Sequence, residues 1–116
     1  MVRDDFTIEK DLLPDKVVVV LRITGYLDAH THERLEEALA DLFAQGHYRL
    51  IVDLAKLEYI SSAGMGVFIA TLSEAQEHGG NIVLMNPTTN VRDVLDLLAP
   101  CVFQVVDDRS AALAVF

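Results

Sequence analysis

The chain of 116 residues has one cysteine, Cys101, which excludes an internal disulfide and a cysteine-ligated zinc cluster. Beside Pro100, that cysteine reads as a small buried hydrophobe. Basic side chains are also scarce: nine Lys plus Arg stand against 18 Asp plus Glu, a formal charge of -9. A surface this acidic is repelled by phosphate backbones and anionic bilayers, so neither nucleic acid nor a membrane is an expected partner. No apolar run approaches the roughly 20 residues that cross a bilayer, and the opening MVRDDF lacks the basic and apolar regions of a secretory leader. A soluble, cytoplasmic protein is expected. His30 and His32 are two apart and would point different ways on a helix. His47 and His78 adjoin glycines at helix ends, where they are exposed or capping. No metal or other cofactor is expected.

The hydrophobic content, 52% of the residues, is enough for one domain with its own core. Phe6 to Glu9 and Lys16 to Thr24 read as strands. In the second, the β-branched run Val17 to Val20 predicts a strand covered on both faces. Leu12, Leu13, Pro14 and Asp15 between them predict a hairpin turn. From Ala29 to Gln45, the residues Leu35, Ala38, Leu39, Leu42 and Phe43 recur on one helical stripe, and Gly46 ends the helix. Arg49 to Leu54 is a short strand, Ser62 to about His78 a second helix closed by Gly79 and Gly80, and Asn81 to Met85 another strand. Val91, Val94, Leu95 and Leu98 mark a third helix with Asn90 as its N-cap and Asp93 in its first turn. Val102 to Val106 is a last strand, and a fourth helix begins at Asp108 or Ser110. The order β-β-α-β-α-β-α-β-α implies parallel strands joined by right-handed crossovers. The expectation is an α/β sandwich spanning residues 1–116, with a mixed, mostly parallel sheet, an antiparallel piece at its N-terminal end and about four helices.

One stretch carries unusual chemistry. YISSAGMGVF, Tyr59 to Phe68, places two hydroxyls and two glycines where an apolar strand gives way to a helix, on the carboxyl side of the sheet where functional loops of such folds gather. Ser61 or Ser62 at a helix N-terminus meets free backbone N–H groups and the positive end of the helix dipole. A serine there can simply cap the helix, and Gly64 and Gly66 can simply relieve crowding. The same glycines let another backbone approach. SSAGMG is neither a phosphate-binding P-loop nor a G-x-S-x-G nucleophile elbow, and no histidine is spaced to act as a base for Ser62. A binding module is therefore expected rather than an enzyme. Glu33, Glu36 and Glu37 read as a solvated helix face.

A second segment, GYLDAHTHERLEEAL from Gly25 to Leu39, ends a strand with glycine and puts Asp28 at the next helix start, on the same rim as Ser62. Together with Asp53-Leu54 and the SSAGMG turn, this resembles the STAS domain, most closely the bacterial anti-sigma factor antagonists. The family shows a G-x-L-D strand end before a Thr-containing helix start, here Asp28 and Thr31. It also shows a strand ending in Asp-Leu before an x-D-S-S/T-G-L-G turn. The resemblance covers Phe6 to Val115, including GGNIVLMNP and VRDVLDLL, and implies a STAS-like sandwich. It places the family's phosphorylatable serine on Ser62, Ala63 in the next hydroxyl position, and Gly64, Met65 and Gly66 on G-L-G. The aspartate before that serine is replaced by Ser61, a departure from the pattern.

The resemblance further implies a partner: an anti-sigma factor that is itself a serine kinase, bound by the unphosphorylated antagonist so that a sigma factor is released. Phosphorylation of Ser62 would break the complex and a serine phosphatase would reset it. A monomer or weak dimer is expected. Two other readings compete: a STAS subunit of a stress-signalling or lipid-transport complex without a phosphoserine cycle, and a small enzyme or nucleotide binder using the rim of Asp28, Asp53 and Ser62. A phosphoserine carries about -1.5 to -2 charges, which a helix N-terminus accommodates and which Asp28, Asp53 or an acidic or apolar partner surface does not. The switch rim is thus Asp28, Thr31, Asp53 and Ser61 around Ser62. Gly64, Met65, Gly66, Phe68, Ile69 and Leu72 form the expected docking surface, with Met65 and then Phe68 expected to be the exposed anchors.

Overall fold

The computed structural model describes residues 6–13 and 17–116. Ten elements follow one another: β1 (Thr7–Leu13), β2 (Val18–Leu27), α1 (His32–Ala44), β3 (Arg49–Asp53), β4 (Leu57–Ile60), α2 (Ser62–Glu77), β5 (Asn81–Met85), α3 (Thr89–Leu98), β6 (Gln104–Val106) and α4 (Arg109–Ala114). The strands lie in the order β1-β2-β3-β5-β6, and β4 pairs with β2 off this path. Only β1 runs antiparallel, from Thr7 opposite Thr24 to Leu13 opposite Val18, and every other pairing is parallel. The expected mixed, mostly parallel α/β sandwich is present.

The helices divide unequally between the faces. Val19, Leu21, Ile23, Leu50, Val52, Ile82 and Leu84 project from one face of the sheet into the large core shared with α1, α2 and α3. Val18, Val20, Ile51, Val83 and Met85 project from the other, where Ala112 of α4 is the fully buried lid. This explains the β2 burial pattern: Val18 to Leu21 are buried on both faces, whereas beyond them only alternate side chains are buried, because α4 reaches no further. Double coverage holds for Val18 to Val20 but not for Val17, which is 57% exposed with φ of 52°. Its left-handed backbone takes it out of the strand.

Several boundaries move for identifiable reasons. Leu12 and Leu13 are strand residues, not turn residues, because the antiparallel ladder runs to Leu13 opposite Val18; the rest of the expected turn, Pro14 and Asp15, lies outside the described residues. α1 starts at His32 instead of Ala29, since Asp28 to Thr31 are held in a turn of their own. α3 is capped by Thr88, whose hydroxyl accepts from the N–H of Val91 at 3.3 Å, so Asn90 lies inside the helix and Asp93 beyond its first turn. Cys101 is exposed, with φ of 63°, in the turn after α3, and the neighbouring Ala99 takes the buried place expected for it. The last strand is shorter than expected, beginning at Gln104.

The expected order also lacks one element. Leu57–Ile60 is a strand, β4, parallel to the end of β2 with Tyr26 opposite Tyr59 and Leu27 opposite Ile60. This strand decides where the functional turn lies.

Candidate functional site

β4 delivers the chain to the end of β2, where the N–H of Ser61 donates to the carbonyl of Leu27 at 2.8 Å. Ser61 stays extended, with φ of -89° and ψ of 171°, and its hydroxyl accepts from the N–H of Gly64 at 3.1 Å. It is the N-cap of α2. Ser62, the first helical residue, is exposed, and its hydroxyl has no hydrogen-bond partner among the described residues. The N–H groups of Ser62 and Ala63 are likewise unspent within the described residues, as expected for the first turn of a helix. The two serines therefore do different work: one closes the junction and the other faces solvent over a partial positive charge. Ser61→Ala is expected to cost about 1 kcal/mol of stability, read as a lower urea midpoint, while Ser62→Ala leaves the midpoint unchanged.

The two glycines separate in the same way. A Cβ on Gly64 would come within 2.7 Å of Cγ of Leu27 and 3.2 Å of Ile60, so this glycine admits interior packing and not a partner. A Cβ on Gly66 meets nothing within 4 Å, and this position alone of the two leaves room at the surface.

The rest of the expected docking surface is largely core. Met65 is 1% exposed, Phe68 0% and Leu72 6%, because α2 is packed against the sheet, α1 and α3 at once. Neither Met65 nor Phe68 is an exposed anchor; Phe68 stands edge-on to Phe103 at 6.4 Å between ring centroids. Ile69, at 39%, is the large apolar side chain that α2 does expose.

Asp28, one residue beyond Leu27, and Thr31, four beyond, do reach the rim, but Oδ1 of Asp28 and the Thr31 hydroxyl are engaged. Oδ1 of Asp28 accepts from the N–H of His30 at 2.9 Å. The Thr31 hydroxyl accepts from the N–H of Asp28 at 2.9 Å and donates to the carbonyl of Tyr26 at 2.7 Å. Asp53 is not on this rim. It pairs with Arg22 in register, five strand positions back from Leu27, roughly 15 Å along β2. There its carboxylate lies 3.7 Å from Nε of Arg22 and accepts from the N–H of Ala55 at 3.0 Å. The expectation that Asp53 lies beside Ser62 fails because β4 carries the chain onward by four residues.

A family model for the STAS domain matches residues 10–103. The chain belongs to this family. It is 32% identical over 108 residues to a Bordetella bronchiseptica protein, BtrV, provisionally named an anti-sigma factor antagonist, covering 90% of this chain and 93% of that one. Its fold is that of a Thermotoga maritima protein described in the same terms, at a TM-score of 0.85 and 23% identity over 93% of this chain and 92% of the other. It is also that of the Bacillus cell fate determinant SpoIIAA solved in its phosphorylated form, at a TM-score of 0.70 and 22% identity over 95% and 97%.

Within this STAS domain, sequence reading misses a groove between α1 and α2. It has a volume of about 690 Å³ and runs from Ala63, beside Ser62, to His78 at the far end of α2. Its lower end is closed by the Tyr48 ring, stacked on His78 at 4.1 Å and tilted against Phe43 at 4.9 Å. At its upper end Nε2 of His32 lies 3.8 Å from Glu36. The signal is in the chain as Ala63, Gly66 and Ala70 at i, i+3 and i+7, facing Ala40 and Ala44 at i and i+4. Among the described residues, no group of three or more His, Cys, Asp or Glu side chains is placed to hold a metal ion. No described helix is long and apolar enough to cross a membrane.

Proposed function

We infer that this STAS domain is a phospho-regulated antagonist: it binds an anti-sigma factor that is a serine kinase, frees a sigma factor, and is switched off when Ser62 is phosphorylated. One observation carries the reading. Of the two adjacent serines, Ser61 has its hydroxyl committed to the helix cap, whereas Ser62 is exposed with a free hydroxyl at the start of α2. A kinase active site can take Ser62 without breaking the cap, and the phosphate is then held over a helix N-terminus that favours it. The fold survives while a partner seated on this turn meets new bulk and charge. Exclusion acts at the interface and not by unfolding.

A pull-down from the source cell with wild-type protein and with Ser62→Asp identifies the partner, and mass spectrometry after incubation with that kinase and ATP locates the phosphate. Phosphate is expected on Ser62; phosphate on Ser61 or Thr31 alone overturns the assignment. Ser62→Asp is expected to weaken the complex at least tenfold while stability changes by no more than about 0.3–1 kcal/mol. A loss of several kcal/mol would show a buried structural serine instead. The replacement of the family's aspartate by Ser61 favours a second reading, a STAS subunit of another signalling or lipid-transport assembly with no phosphoserine cycle. Partners recovered equally by wild type and Ser62→Asp would establish it.

A further inference from the structure

We propose that the groove between α1 and α2 seats a basic amphipathic helix of the partner, lying antiparallel to both with its C-terminal end at Ser62. The inference rests on the preceding reading only in assigning that helix to the anti-sigma factor.

The shape comes first. The floor is apolar, built on Leu39, Phe43 and Val67, and the surface above it is lined by Ala40, Ala44, Ala63, Gly66 and Ala70. Axis separation between packed helices is set by the side chains at the contact, so two facing rows of one-carbon or absent side chains allow a third helix close to both. α1 has 13 residues, and a track that long, about 20 Å, matches roughly four turns of helix.

Charge selects the occupant. α1 and α2 carry Glu33, Glu36, Glu37, Asp41, Glu74 and Glu77, all exposed, against one Lys or Arg, Arg34; Glu36 and Glu74 line the groove itself, with His32 and His78. Arg34 is turned away, donating to the carbonyl of Phe6 at 3.0 Å with its guanidinium 5.0 Å from that ring. The groove is therefore a small-residue track with one carboxylate from each helix on its lining, Glu36 and Glu74, and further acidic side chains on the same two helices. It complements a helix with alanine and leucine on one face and Lys or Arg on its flanks, and it repels an acidic one.

Polarity fixes direction. α1 and α2 each link parallel strands, so they run the same way and both begin at the Ser62 end. Two aligned dipoles favour a third helix of opposite sense, whose partly negative C-terminal end then lies beside the partly positive start of α2 at Ser62 and Ala63. A phosphate on Ser62 would put negative charge beside that carbonyl end and repel it even though the flanks of the helix are basic.

The test uses the full chain and a synthetic 18-residue helical peptide with Ala and Leu on one face and Lys and Arg beside them. Amide shifts on titration are expected at Ala40, Ala63, Gly66 and Ala70. Ala70→Leu, which fills the track without changing charge, and Glu36→Lys with Glu74→Lys should each weaken binding at least tenfold at an unchanged urea midpoint. A peptide with Glu in place of Lys and Arg should also bind at least tenfold more weakly. No binding, shifts elsewhere, or equal binding by Ala70→Leu or by the acidic peptide would overturn the proposal. If the peptide seats in the groove and no anti-sigma kinase binds the chain, the groove stands and the preceding reading falls. If the kinase binds Ala70→Leu as tightly as wild type, the preceding reading stands and the groove falls.

Discussion

Phe68→Ala is expected to lower stability by about 3–5 kcal/mol, a large share of the roughly 5–15 kcal/mol that holds a typical domain folded. The ring is fully buried in the large core and edge-on to Phe103, so truncation removes apolar contact from α2, the sheet and the segment before β6 together. Met65→Ala should cost about 2–5 kcal/mol by the same mechanism. Denaturant titration reads this as a fall in the urea midpoint at unchanged slope. The folded fraction should bind the partner normally. Weakened binding at unchanged stability would mean that α2 presents these side chains after all.

Gly80→Ala should be at least as damaging, with a loss of about 4 kcal/mol or more. A Cβ at this position would overlap the carbonyl oxygen of Tyr48, which cannot withdraw because it accepts from the N–H of Asn81 at 3.0 Å. Gly80 is tied on its other side, donating to the carbonyl of Ala75 at 2.8 Å. The methyl group would push the end of α2 away from the start of β3. Gly79 is the control: its φ of 77° disfavours a side chain, but the space around it is open. Gly79→Ala is expected to cost about 1 kcal/mol. Equal midpoints for the two variants would show that the Tyr48 contact relaxes and would remove the steric argument.

These two glycines show how far sequence reading goes. GG after a helical stripe announces the end of α2 correctly, but it does not separate a residue needed for its backbone angle from one needed for its missing side chain. Serine chemistry behaves alike. SSAGMG places a helix start, whereas the division of cap and free hydroxyl between Ser61 and Ser62 depends on where β4 stops. LEYI is four residues long and too short for its alternation to stand out, so the chain after Asp53 reads as a loop and Asp53 is assigned to the wrong place. Met65 and Phe68 fail as surface residues for a related reason. An apolar belt around a helix is the same in sequence whether it awaits a partner or already has neighbours on three sides. The stripe of α1 was legible from its helical period, and the β-branched run of β2 from its unbroken burial under helices on both faces.

The unequal covering of the sheet sets the order in which the molecule can be completed. α4 follows every strand in chain order, and Ala112 is 94 residues after Val18. At ribosomal speeds that interval is on the order of 10 s. The large core can close once Ala99 has been made, while Val18, Val20, Ile51 and Val83 stand as an uncovered β-branched face until Ala112 follows 13 residues later. A nascent chain at this stage exposes the kind of apolar strand face that invites chaperone binding or sheet-to-sheet aggregation, and its covering waits on six helical residues and the Asp108 carboxylate that caps them.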